Sequence, residues 1–200
     1  MYAVANRVPV FGSVLRSLSR VALPNDVLVL ASIRSCPGKG YEATVERVLL
    51  SNLRPGTVFY DVGAHIGVFS LIAARNIGIY CSVIAFEPDP SNVRGIDEHV
   101  SRNQLDRIRI IPKAVCSSVG RVRFQRASFQ SSMNRGTVID HASAAEDSTI
   151  EVESVTSVTL DAIALENPPP NLIKIDVEGA EASVLQGSEE NFRSAKPVLV

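Results

Sequence analysis

Val58-Phe59-Tyr60-Asp61-Val62-Gly63-Ala64-His65-Ile66-Gly67 reads as a strand, a tight loop and a helix start, and its reading decides the fold. An apolar run stops at an acidic residue, turns on two glycines, and resumes at helical spacing through Val68, Phe69, Leu71, Ile72 and Ala73. Loops of this kind hold nucleotides in open α/β folds. Glycine suits them because the turn takes positive φ and because a ligand can approach bare backbone. An ordinary strand-to-helix turn is the alternative that these ten residues leave open.

The loop departs from the dinucleotide fingerprint Gly-x-Gly-x-x-Gly, which sets free N–H groups and a helix N-terminus against a pyrophosphate. Here the pattern is Asp-x-Gly-x-x-x-Gly. Asp61 is expected at the mouth of the loop, repelling phosphate and attracting an ammonium or sulfonium group, so the predicted ligand is partly cationic. A second apolar run, Ser82-Val83-Ile84-Ala85-Phe86, ends in Glu87 and Pro88. An acidic residue at the tip of the second strand of a βαβ unit accepts hydrogen bonds from both ribose hydroxyls. Two carboxylates and two glycines so spaced read as a site for S-adenosyl-L-methionine, not NAD.

A third stretch is Lys174-Ile175-Asp176-Val177-Glu178-Gly179-Ala180-Glu181. With it the chain resembles the FkbM family of S-adenosylmethionine-dependent methyltransferases, whose signatures are similar to Asp61–Gly67, Phe86–Pro88 and Lys174–Glu181 here, in that order. The resemblance covers residues 41–200. It implies a class I methyltransferase fold, an α/β Rossmann-like doubly wound sheet, mostly parallel. It places Asp61, Gly63, Ala64, His65, Gly67, Glu87, Pro88 and Ala114 at the cofactor. Asn92 resembles the position of a family asparagine and is expected to fix the loop bearing Glu87. His65 stands where the family generally has asparagine, and a structural role for it outweighs a catalytic one.

Methyl transfer is an in-line displacement, served mainly by alignment and a dry, shaped pocket. A hydroxyl acceptor must also lose a proton, so a nearby carboxylate is useful as base. Asp176 is the first candidate, followed by Glu178 and Glu181. Three acids this close are also compatible with a divalent metal, but no histidine lies nearby and the spacing fits no standard metal loop. Lys174 lies within an apolar run, so its charge must be paired with a carboxylate or directed at the sheet edge. The polar stretch 127–148 has little periodicity and reads as a loop over the acceptor pocket or a plain surface loop. Ser131, Asn134, Arg135 and His141 are its candidates for substrate contact.

The 200 residues are 46% hydrophobic and 20% charged, enough for one α/β domain with a core. A net charge of −1 leaves no electrostatic footprint for nucleic acid. No apolar run reaches the roughly eighteen residues of a membrane span. Cys36, Cys81 and Cys116 show no metal spacing and suit buried thiols in a reducing cytoplasm. Residues 1–40 read as a lead-in segment before the domain at 41–200. Val14, Leu15, Leu18, Val21 and Ala22 fall at helical spacing beside Arg7, Arg16 and Arg20, which suits a basic amphipathic helix or one docked on its own domain.

Predicted elements are a strand at 27–33, helices at 41–53 and 93–103, strands at 108–111, 120–124, 149–155 and 172–175, and a fifth core strand beginning at Pro197. Thr159 or Asp161 is expected to cap a helical turn. Because related domains continue further, the fold is expected to be truncated after that fifth strand, or its open edge covered by another subunit in a homo-oligomer. The expected activity is O-methylation of a hydroxyl on a small molecule such as a sugar. N-methylation and a non-catalytic binding module are the rival readings.

Overall fold

A computed structural model describes residues 18–23, 27–32, 42–77, 82–125, 137–139 and 152–200. Its centre is a five-stranded sheet, ordered β11-β10-β3-β4-β5 and parallel throughout. The strands are β3 (Val58–Val62), β4 (Ser82–Phe86), β5 (Ile108–Ile111), β10 (Leu172–Ile175) and β11 (Val198–Leu199). Strands this short and apolar are what a parallel sheet covered on both faces requires.

Alternation along the strands sorts the side chains into two cores. Phe59, Val83, Ala85 and Leu172 pack with α1 (Ala43–Asn52), α2 (Val68–Ile77) and α3 (Pro90–Asn103). Tyr60, Val62, Ile84, Phe86 and Ile173 pack on the opposite face with α4 (Leu160–Ala164), α5 (Glu181–Gln186) and α6 (Glu189–Ser194). Helices on both faces make the sheet doubly wound.

A smaller sheet, ordered β6-β9-β7-β8, stands beside the first. It comprises β6 (Ala114–Val115), β7 (Gly120–Gln125), β8 (Thr137–Ile139) and β9 (Val152–Val158), and its own core gathers Ala114, Phe124 and Val155. Asp89 caps α3 by accepting from the Ser91 N–H at 2.7 Å, with Pro90 pre-set for the first turn. Thr159 and Asp161 divide the capping expected of one of them. Thr159 Oγ1 accepts from the Ala162 N–H at the start of α4, while Asp161 reaches across to accept from Glu190 and Asn191 at the start of α6.

The helical reading of Leu18, Val21 and Ala22 is corrected. They lie in a strand, β1 (Leu18–Leu23), paired antiparallel with β2 (Val27–Ser32) along its whole length. Leu23 precedes Pro24, which disfavours helical backbone before it, and the partner strand overrides the spacing. Val14, Leu15, Cys36, Cys81, Ser131, Asn134, Arg135 and His141 lie outside the described residues. Cys116 is a buried free thiol, and burial pushes its pKa up. No helix among the described residues is long and apolar enough to cross a membrane.

Candidate active site

Parallel strands end together, so the loops after β3, β4, β5 and β10 meet at one edge of the sheet. Between them opens a cleft with both apolar and charged walls, the usual make-up of a small-molecule site. Gly63, Ala64 and His65 line it from the loop after β3, Glu87 and Pro88 from the tip of β4, and Ala114 from β6. Asp176 and Glu178 close it from the loop after β10.

Gly63 is indispensable to this meeting of loops. Its φ is +75°, and a Cβ there would fall 2.0 Å from the Asp176 carbonyl oxygen. The glycine loop therefore rests directly on the backbone that carries the candidate base. His65 also takes the left-handed region, at φ 53°. Histidine shares with asparagine and aspartate a tolerance for that conformation, which gives a backbone reason for finding it where asparagine is expected. Its N–H donates to Glu87 Oε2 at 2.8 Å.

Glu87 is 5% exposed. Burial pushes its carboxyl up to about 7, against the pull of N–H donors from Asp89, Asn92 and His65, with the Asp89 charge adding a smaller upward push. Oε1 accepts from the Asp89 N–H at 2.9 Å and the Asn92 amide at 3.3 Å. A carboxylate has about four lone-pair sites. One on Oε2 remains beside the His65 donor, so the side chain is pre-oriented with accepting capacity left for a ligand hydroxyl.

Asp61 does not stand at the mouth of the loop. It is fully buried behind the cleft wall, where Oδ2 accepts from the Ser70 hydroxyl at 2.7 Å and Oδ1 faces Lys174 Nζ at 3.5 Å. Period-two alternation turns Asp61 towards α2, and α2 answers with Ser70. Gly67 is likewise absent from the lining. Its N–H donates to the Ala64 carbonyl at 2.8 Å, and a Cβ there would crowd Ile96 at 3.2 Å. Glu181 opens α5 and accepts from the Gly179 N–H at 3.1 Å rather than entering the cleft. Among the described residues no group of His, Cys, Asp and Glu side chains could hold a metal ion.

The cleft also has walls that local sequence reading did not assign to it: Phe69 and Val68 of α2, Val177, and Phe124 and Val138 of the small sheet. Lys174 lines it too, although it was singled out only for its charge. Phe124 and Val138 carry no local signal, because they reach the cleft only through the pairing of β7 with β8 and β9.

The cleft fits S-adenosylmethionine on two observations. Glu87 retains accepting capacity, and apolar walls from Phe69 and Phe124 suit an adenosyl group. A family described as Methyltransferase FkbM domain matches residues 61–200. Hexuronic acid methyltransferase AglP of Haloferax volcanii is 28% identical over 168 residues, covering 80% of this chain and 61% of that protein. The crystal structure of methyltransferase FkbM from Methylobacillus flagellatus superposes with a TM-score of 0.50 at 22% identity, over 74% of this chain and 33% of that one. A precorrin-6Y C5,15-methyltransferase from Geobacter metallireducens gives a TM-score of 0.46 at 14% identity, over 78% of this chain and 60% of that one. The chain thus spans less than two thirds of the length of each.

Proposed function

The chain belongs to the methyltransferase FkbM domain family, whose members are S-adenosylmethionine-dependent, and from that membership we propose that it methylates a hydroxyl of a sugar or a similar small molecule. The observation that carries the reading is the convergence of Gly63, Glu87 and Asp176 on one cleft. The relative named for hexuronic acid supports a sugar acceptor.

When bound, the cofactor supplies an electrophilic methyl group on a cationic sulfur. Glu87 would take the ribose hydroxyls, and the loop of Gly63, Ala64 and His65, whose N–H groups already donate to Phe86 and Glu87, would offer carbonyl oxygens to the ammonium of the amino-acid end. Ala114 and Pro88, which line the cleft, would hold the base. Asp176 accepts the proton that the acceptor hydroxyl gives up as its oxygen takes the methyl group, which helps by about 10²- to 10⁴-fold. Glu178 stands at the same mouth, in the tight turn it forms with Gly179, both at positive φ.

The test is methyl transfer from labelled S-adenosylmethionine to hexuronic acids, neutral hexoses, simple alcohols and amines, with the products analysed by mass spectrometry. Methyl ethers of the sugars are expected, with the rate constant falling about 10²-fold or more in Asp176→Asn. Turnover on amines alone would replace the reading by N-methylation. Tight binding of S-adenosylhomocysteine without transfer to any acceptor would favour a binding module.

A further inference from the structure

The buried residues of α3 are Asn92, Ile96, His99 and Asn103, spaced as one face of the helix, and three of the four are polar. A buried helix face is ordinarily apolar, and each polar group on it needs a partner. Asn103 donates to the His99 carbonyl at 2.8 Å, within the helix. The other two reach across to the loops of the cleft. The Asn92 amide donates to Glu87 Oε1 at 3.3 Å, and His99, 2% exposed, sets Nδ1 at 2.8 Å from the Ile66 carbonyl oxygen. A carbonyl can only accept, so the proton of this contact is assigned to Nδ1.

Ile66 lies between His65 and Gly67, both at positive φ. The hydrogen-bond ladder of α2 starts from the Leu71 N–H to the Gly67 carbonyl, which leaves the Ile66 carbonyl one residue outside it. His99 supplies the donor that the helix does not. On the other side of Ile66, the His65 N–H donates to Glu87 Oε2 at 2.8 Å. One face of α3 thus grips both the glycine loop and the acid at the tip of β4 from behind the cleft wall.

We propose that His99 is a positioning residue for the cofactor. Through the Ile66 carbonyl it holds the loop in the conformation that sets the His65 N–H against Glu87, so that loop and acid meet the ligand already assembled. This role rests on the cofactor reading above and deepens it from which residues meet the ligand to what holds them ready.

The test is calorimetric titration of the wild-type chain, His99→Asn, His99→Gln and His99→Leu with S-adenosylhomocysteine, together with amide hydrogen exchange of the ligand-free proteins. The side-chain nitrogen of asparagine stands as far along the side chain as Nδ1, whereas that of glutamine stands where Nε2 does. Affinity should therefore fall about tenfold in His99→Leu and His99→Gln, the scale of one net hydrogen bond, and stay within about threefold of wild type in His99→Asn. The His65 amide should exchange faster in the first two variants and not in the third. Thr159→Ala, which weakens the fold at the start of α4, controls for lost stability and should leave the affinity unchanged. Affinity within about threefold of wild type in His99→Leu, or a loss in His99→Asn as large as in His99→Leu, overturns the role. If His99→Leu does not fold, the difference between His99→Asn and His99→Gln decides. A folded wild-type chain that does not bind S-adenosylhomocysteine would overturn the cofactor reading instead, while exchange at His65 still reports whether His99 holds the loop.

Discussion

Glu87 shows how far one residue's setting departs from its reading as a strand-tip acid. Its carboxyl is raised from 4.5 to about 7 in the folded protein, chiefly by burial. A folded pKa above the unfolded one contributes stability that is complete below about 4.5 and is lost as pH rises through about 7, on the order of 3 kcal/mol. Urea denaturation of the ligand-free chain at pH 5 and pH 8 should show that loss, and Glu87→Gln should flatten it. A wild-type chain equally stable at both pH values would contradict the assignment. Gly63→Ala should cost about 3 kcal/mol and abolish S-adenosylhomocysteine binding, because a Cβ would overlap the Asp176 carbonyl. At His65 the backbone sets the rule. Asparagine there should leave stability within about 0.5 kcal/mol, while valine, β-branched at positive φ, should cost about 1–2 kcal/mol in the same denaturation experiment.

Among the elements, those carrying their own signals were legible. β10 spans Leu172–Ile175 as its apolar run implied, and α3 ends at Asn103 as its pattern implied. The helical spacing over Leu18, Val21 and Ala22 misled because a strand partner decided the matter. Capping at the α4–α6 corner was legible only in part, since Asp161 caps a helix 29 residues further on. Asp161→Ala should therefore destabilise the fold by about 1–2 kcal/mol and Thr159→Ala by about 1 kcal/mol, with S-adenosylhomocysteine affinity unchanged in both. Chemical denaturation paired with calorimetry checks this, and a large loss of affinity would tie the corner to the cleft.

For the whole molecule, β3 and β4 lie between other strands of the five-stranded sheet and are covered on both faces, whereas the small sheet has a core of only a few side chains. Native-state hydrogen exchange should find the slowest amides in β3, β4 and β10, and faster exchange in β7 and β8. Protection in β8 equal to that in β4 would show one cooperative unit instead. By itself, the sequence determined the strand-loop-helix with its glycines, the acid at the tip of β4 and the family signature, because each is a local pattern of turn chemistry and apolar periodicity. Only the tertiary structure decided that Asp61 is walled in with Ser70 and Lys174, that Glu181 serves its own helix start, and that Phe124 and Val138 reach the cleft. Those facts depend on which strand lies beside which and which face each residue takes, and no local spacing encodes a neighbour more than a hundred residues away.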